Sequence, residues 1–261
     1  MKLLRVDTET QLHAVRTTGS EVWEIVNLQN PDGGFPCKGK KGNPSCLNDT
    51  WSWIGKLIKD NGKEAKESLH KSCEWVFSIQ SEEGAFVEPE ELAWVPNLPP
   101  WVRPGKPTPN MPQLVAHLLQ AGYQDREEMK RAMAHLVRYW QNPDGSFKEK
   151  YLVWCLVEVL KRSGLPENSK LVQEAMKATA RYFRGPGRNN PPALVWCLGS
   201  LRLAGIGKDH ALVKEIFSQL RAVRNNDGGW SNEDIKGKIQ RQTDPLFTKA
   251  VLDTLRAYEL V

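Results

Sequence analysis

Three carboxylates stand where their neighbours give an acid something to do. Asp49 opens a helix-like segment, Asp244 precedes Pro245 at the start of another, and Glu158 interrupts the apolar run Cys155-Leu156-Val157-Glu158-Val159-Leu160. A carboxyl withdrawn from water keeps its proton to higher pH and is then suited to donate it, so all three are candidate catalytic acids. Each also has a structural reading. Asp49 and Asp244 suit an N-terminal cap or a first-turn acid favoured by the helix dipole, and Glu158 suits a pairing with Lys161, Arg162 or Arg202. Aromatic residues accompany them: Trp51, Trp53, Trp154 and Trp196, with Tyr151 beside Trp154 and His117 in the apolar stretch Leu114-Val115-Ala116-His117-Leu118-Leu119. Their faces would line a pocket for an apolar ligand and stabilise a cation formed in it; packing between helix layers is the alternative. These six residues form the expected ligand-binding set.

Metal chemistry has less to stand on. The chain has five cysteines and no Cys-x-x-Cys, so the usual zinc-ribbon and thioredoxin spacings are absent. Cys73, Cys155 and Cys197 fall in apolar, helix-like segments, where free cysteine packs as a small hydrophobe. Cys37 and Cys46 flank Lys38-Gly39-Lys40-Lys41 and suit a redox pair, metal partners or two unpaired thiols. Asp49, His117 and Cys155 would make a nonstandard zinc set, which the spacing does not require. No metal and no cofactor is expected.

The elements that position these residues are repeats. Gln29-Asn30-Pro31-Asp32-Gly33-Gly34-Phe35, Gln80-Ser81-Glu82-Glu83-Gly84-Ala85-Phe86, Gln141-Asn142-Pro143-Asp144-Gly145-Ser146-Phe147 and Arg224-Asn225-Asn226-Asp227-Gly228-Gly229-Trp230 superimpose, with starts 51, 61 and 83 residues apart. The last interval is close to twice the 42 residues that separate Leu152-Val153-Trp154-Cys155-Leu156 from Leu194-Val195-Trp196-Cys197-Leu198. A degenerate copy is therefore expected near Arg184-Gly185-Pro186-Gly187, making five repeats. Met129, Met133, Leu136, Val137 and Trp140 recur at helical spacing before one motif. The Pro-Asp-Gly triplet then ends the helix, because Pro cannot continue it and Gly accepts positive φ.

Second, more apolar helices are predicted over residues 48–59, 111–120, 151–162, 192–203 and 244–258, with Gly122, Gly164 and Gly205 as C-terminal stops. The helices before the motifs carry many charges and suit a solvent-facing layer that includes His13, His70, His135 and His210. Those after are apolar nearly all round and suit a buried layer. The expected fold is all-α: an α/α toroid of about five outer–inner hairpins, closed with five or left open, in a single domain over residues 1–261. Residues 88–109 hold seven prolines with Trp94 and Trp101. They read as an ordered insertion loop that the two tryptophans dock. Trp23, Trp75 and Trp140 belong to outer helices as structural residues, and Phe35, Phe86, Phe147 and Trp230 plug the turns.

Composition narrows the classes. The chain of 261 residues is 40% hydrophobic and 26% charged, which excludes a disordered chain. Its net charge of +5 is small and scattered, so no nucleic-acid partner is expected. No apolar run reaches the ~18–20 residues of a membrane helix. Asp7 interrupts the start before a signal-peptide core forms. A cytoplasmic location is expected.

The Gln-x-x-x-Gly-x-Phe/Trp repeat resembles the Gln-Trp repeat of squalene–hopene cyclases and the repeats of protein prenyltransferase β-subunits. Gly39-Lys40-Lys41-Gly42-Asn43-Pro44 leading into Trp51-Ser52-Trp53 is similar to the loop and aromatic inner helix of the prenyltransferases. Asn110-Met111-Pro112-Gln113-Leu114 resembles inner-helix starts in small bacterial toroids of that superfamily. The resemblance implies the toroid and an isoprenoid-like ligand. It also implies where zinc would be held in a prenyltransferase, by Asp-x-Cys on one inner helix and His on another. Asn48 and Thr50 occupy the first pair of positions, and Ala193 or Tyr151 the third, so that set is absent. The Asp-x-Asp-Asp acid of the cyclases and the Asp-Asp-x-x-Asp of diphosphate-ionising synthases are missing as well. The chain thus resembles a small prenyltransferase-like member without the standard catalytic motifs.

The expected function is binding, or acting on, an isoprenoid or other lipid-like molecule in an aromatic-lined cavity. The alternative is a noncatalytic interaction scaffold with a packed ring centre; a carbohydrate-active α/α barrel suits the tryptophans and carboxylates but not the repeats.

Overall fold

The computed structural model describes residues 19–232 and 242–260, so His13 and the N-terminal start lie outside the described residues. The four motif turns share one backbone pattern. At the first, Gly33 N donates to Asn30 O and Asn30 N to Gly34 O. The same two bonds recur at Ser81/Gly84/Ala85, Asn142/Gly145/Ser146 and Asn225/Gly228/Gly229. The central glycines have φ of 97°, 90°, 85° and 87° in order, in the left-handed region that excludes most side chains. Asp32, Asp144 and Asp227 accept from the backbone N–H two residues on, closing three of the turns a second time. Phe35, Phe86, Phe147 and Trp230 are all buried beneath them.

Ten α-helices alternate about these turns among the described residues, and no strand forms beyond isolated bridges. The pre-turn helices are α1 (Gly19–Leu28), α3 (Lys63–Ser78), α5 (Glu127–Trp140), α7 (Lys170–Arg184) and α9 (Ala211–Ala222). The post-turn helices are α2 (Leu47–Leu57), α4 (Met111–Gln120), α6 (Val153–Arg162), α8 (Pro191–Leu203) and α10 (Pro245–Ala257). The fold is all-α, with post-turn helices at the five places expected. Gly122, Gly164 and Gly205 follow α4, α6 and α8 with positive φ. The degenerate copy also joins a helix pair, α7 and α8, by another route: Gly187 N donates to Tyr182 O, and Asn190 caps α8 through Ala193 N. No helix of the described residues is long and apolar enough to cross a membrane.

The described chain falls into two compact units, one ending at Tyr139 and one beginning at Trp140. In the N-terminal unit, Val22 and Ile25 of α1, Phe35, Leu57 of α2 and Ala65 of α3 form one core cluster. Residues 88–109 are ordered by a 3-10 turn (Glu90–Trp94) and by Val87 pairing with Pro107. Leu92, Val95 and Val102 of this segment bury against Cys37 and Cys46. Trp101 docks it, with Nε1 donating to Asn48 Oδ1 at 2.9 Å. Trp94 does not: it is 88% exposed, because the 3-10 turn directs Leu92 inward instead. Trp23 likewise points into solvent from α1, whereas Trp75 and Trp140 are buried. In the C-terminal unit, every residue from Val153 to Leu160 is buried. There α6 packs on α7 and α8, and α8 packs on α9 and α10.

Candidate functional site

In the N-terminal unit, the chemistry gathers at the start of α2. An antiparallel bridge between Pro36 and Ser45 pinches the lysine-rich loop, with Cys37 N donating to Pro44 O and Cys46 N to Phe35 O. Cys37 and Cys46 thereby come together, both buried, both free thiols and within hydrogen-bond reach of each other. Cys46 is also the N-cap of α2; its Sγ accepts from Asp49 N at 3.4 Å and donates to Asp49 Oδ2 at 2.9 Å. Lys38 adopts a left-handed conformation (φ 63°), which turns its N–H onto Asp49 Oδ2 at 3.1 Å. The Sγ atoms of Cys37 and Cys46 and a carboxylate oxygen of Asp49 all lie within 4.8 Å of one another.

A fourth group completes this corner. Glu88, 1% exposed, reaches in from the insertion, and its Oε2 accepts from Leu47 N at 2.9 Å. A carboxylate there satisfies a helix-end N–H and meets the positive end of the helix dipole. Its other oxygen, Oε1, is buried without a partner. Burial raises the Asp49 carboxyl above the ordinary range, against hydrogen bonds from Cys46 and Lys38 that lower it. Burial pushes Glu88 up to about 7, with Asp49 adding repulsion. The Cys46 thiol is raised by burial first, and then by Cys37, Asp49 and Glu88. Glu88 is the residue that sequence reasoning missed. It opens the proline-rich insertion two residues after the turn plug Phe86, with Glu90 and Glu91 close behind, so no local signal set it apart.

Trp51 and Trp53 do not share a face, since residues two apart on a helix point to opposite sides. Trp51 faces α4, where its ring meets His117 at 5.9 Å. Trp53 packs against Phe35 and the α1 core cluster. Both indole N–H groups are buried without a partner. His117 Nδ1 lies 3.2 Å from the Trp51 carbonyl, an acceptor only, so this nitrogen carries the proton. Withdrawal from water lowers His117 to about 4, helped by the positive charge of Lys59 and opposed by the Trp51 bond. The helices approach closely here because position 55 is glycine: a Cβ on Gly55 would stand 2.5 Å from His117 Cε1.

In the C-terminal unit, a left-handed Leu152 (φ 71°) turns Tyr151 back over the start of α6. Tyr151 is 42% exposed, and its ring meets Trp154 at 5.2 Å and Trp196 at 6.3 Å, both edge-on. Trp196 is half-buried. Trp154, 1% exposed, is instead enclosed by Tyr182 and Phe183 of α7. Glu158 is buried and bonds Arg162 Nε at 3.1 Å, one helical turn on. Asp244 caps α10, accepting from Phe247 N at 3.0 Å. Two of the three candidate acids therefore have structural partners within their own helix.

No known protein family and no curated protein matches the chain. Among solved structures, a crystal structure of a protein from Actinoplanes is similar over 92% of this chain and 83% of that one, at 17% identity and a TM-score of 0.57, a likeness of fold alone.

Proposed function

We propose that the protein is an α/α-toroid repeat protein of the prenyltransferase and squalene-cyclase kind that binds an isoprenoid-like apolar ligand. The repeat turns support the fold assignment. In each, a long side chain closes its own loop: Gln29, Gln80 and Gln141 through Nε2 and Arg224 through Nε donate to the carbonyls of Gly33, Gly84, Gly145 and Gly228. The observation that carries the ligand is the aromatic corner at Tyr151 and Trp196, which offers ring surface to solvent at the start of a post-turn helix. Apolar ligands favour aromatic surface bordered by few polar groups. Binding fits better than turnover, because Glu158 and Asp244 are engaged in structural bonds. Asp49 is likewise engaged, by Cys46 Sγ and Lys38 N.

A scaffold is the second reading, and Trp53 and Trp154 favour it, since both pack toward pre-turn helices. Organic extraction of the purified protein with mass spectrometry, followed by titration with farnesol under tryptophan fluorescence, separates the two. A co-purified isoprenoid, or saturable quenching weakened at least about tenfold by Tyr151→Ala and left alone by Trp23→Ala, supports the binder. An empty extract with no saturable quenching leaves the scaffold.

A further inference from the structure

We propose that Cys37, Cys46 and Asp49 bind one soft divalent cation, with zinc the ion that best fits two thiolates and a carboxylate. This inference does not depend on the isoprenoid reading. It also uses none of the positions where the family resemblance would put zinc, which hold Asn48, Thr50, Ala193 and Tyr151. The expectation of no metal rests on the cysteine spacing and on those positions, whereas this cluster is assembled by the pinched loop.

The geometry is close to that of a bound ion. Zinc holds sulfur at about 2.3 Å and carboxylate oxygen at about 2.0–2.2 Å in tetrahedral array, so neighbouring ligand atoms stand about 3.5–4 Å apart. All three atoms here lie within 4.8 Å of one another, so small rotations bring them to that spacing. The ligands are held by backbone: Cys46 as the helix cap, Cys37 in the bridged loop, and Asp49 in the first turn of α2.

The charge balance points the same way. Two thiols and two carboxyls are buried side by side, and the donors on Asp49 and Glu88 are neutral N–H and S–H groups. Buried acids hold their protons unless a cation compensates them, so a bound metal is what lets this set ionise. Glu88 Oε1, buried and unpartnered next to Leu47, adds an unused acceptor beside the cluster. Each thiol releases its proton to solvent as its sulfur–metal bond forms, so two protons leave per ion bound.

The test uses the full chain, purified under reducing conditions without chelators. Elemental analysis is expected to find about one zinc per chain. The metal-free protein should take up one cobalt(II) with a thiolate-to-cobalt charge-transfer band, releasing about two protons. Cys37→Ser and Cys46→Ser should abolish the band, Asp49→Asn should weaken affinity at least about tenfold, and Cys73→Ala should retain it. Because a cysteine variant risks unfolding, the wild-type spectrum and proton count stand as independent readouts. Five titratable thiols with no metal uptake would overturn the proposal. So would three thiols and a Cys37–Cys46 disulfide in protein that takes up no metal after reduction.

Discussion

Gln29 Nε2 donates to the carbonyl of Ser68, on the next pre-turn helix, at 2.8 Å, while also donating to Gly33 O in its own turn at 2.8 Å. Gln80 does the same, bonding Glu128 O of α5 at 2.8 Å. One amide thus closes a turn and fastens it to the following repeat. Gln29→Ala should cost about 2–3 kcal/mol, since two carbonyls lose a donor, and Gln141→Ala, which bonds Gly145 O in its own turn, about 1 kcal/mol. Urea denaturation of both variants checks the order.

The turn glycines should differ in tolerance although their φ values agree. A Cβ on Gly84 would stand 2.3 Å from Arg131 O and one on Gly33 2.6 Å from Lys71 O, both backbone atoms of the next pre-turn helix. At Gly145 the nearest atom is the end of the Gln141 side chain, at 3.7 Å. Gly145→Ala and Gly228→Ala should therefore lose about 1–3 kcal/mol from strain alone. Gly84→Ala and Gly33→Ala should lose distinctly more. Thermal midpoints that fall equally in all four would refute the close packing.

Asp244 separates a cap from an acid. Asp244→Asn keeps an oxygen for Phe247 N and should leave stability within a few tenths of a kcal/mol, whereas Asp244→Ala should lose about 0.5–2 kcal/mol. A turnover assay with an isoprenoid substrate that fails for Asp244→Asn at unchanged stability would restore it as an acid.

His117 gives the pH dependence. Its folded value near 4 lies below the ordinary 6.5, so between these the unfolded chain binds more protons. Stability from this group is therefore complete above about 6.5 and is lost as pH falls toward 4. His117→Asn should flatten that part of a stability–pH curve; an unchanged slope would show that the imidazole titrates normally.

How much was legible in the sequence differs between turns and sites. The turns were readable because Asp32, Gly33 and Phe35 act within seven residues, and the chain repeats the experiment four times. The α4 boundaries follow from Pro112 and Gly122 for the same local reason. The site residues depend on longer connections. Trp53 turned from its expected pocket because the first turn offers it Phe35 and α1 an apolar surface, and Trp154 because Tyr182 and Phe183 arrive from α7. Cys37, Cys46 and Asp49 were each noticed, but separately. Their meeting depends on the Pro36–Ser45 bridge, and Glu88 joins them only by returning from beyond α3. No periodicity records such a contact.

The hairpin without the motif turn, α7 with α8, has its own fastening. Arg184, the last residue of α7, makes a two-pronged ion pair with Glu215 of α9, both bonds at 2.7 Å. The Gln29 and Gln80 joints are amide-to-carbonyl and indifferent to dissolved ions. This one is largely open to water, where added salt screens it. Ionic strength therefore acts unevenly along the repeats, loosening the α7–α9 seam first and leaving the N-terminal joints clasped. Hydrogen exchange at rising salt would start at that seam.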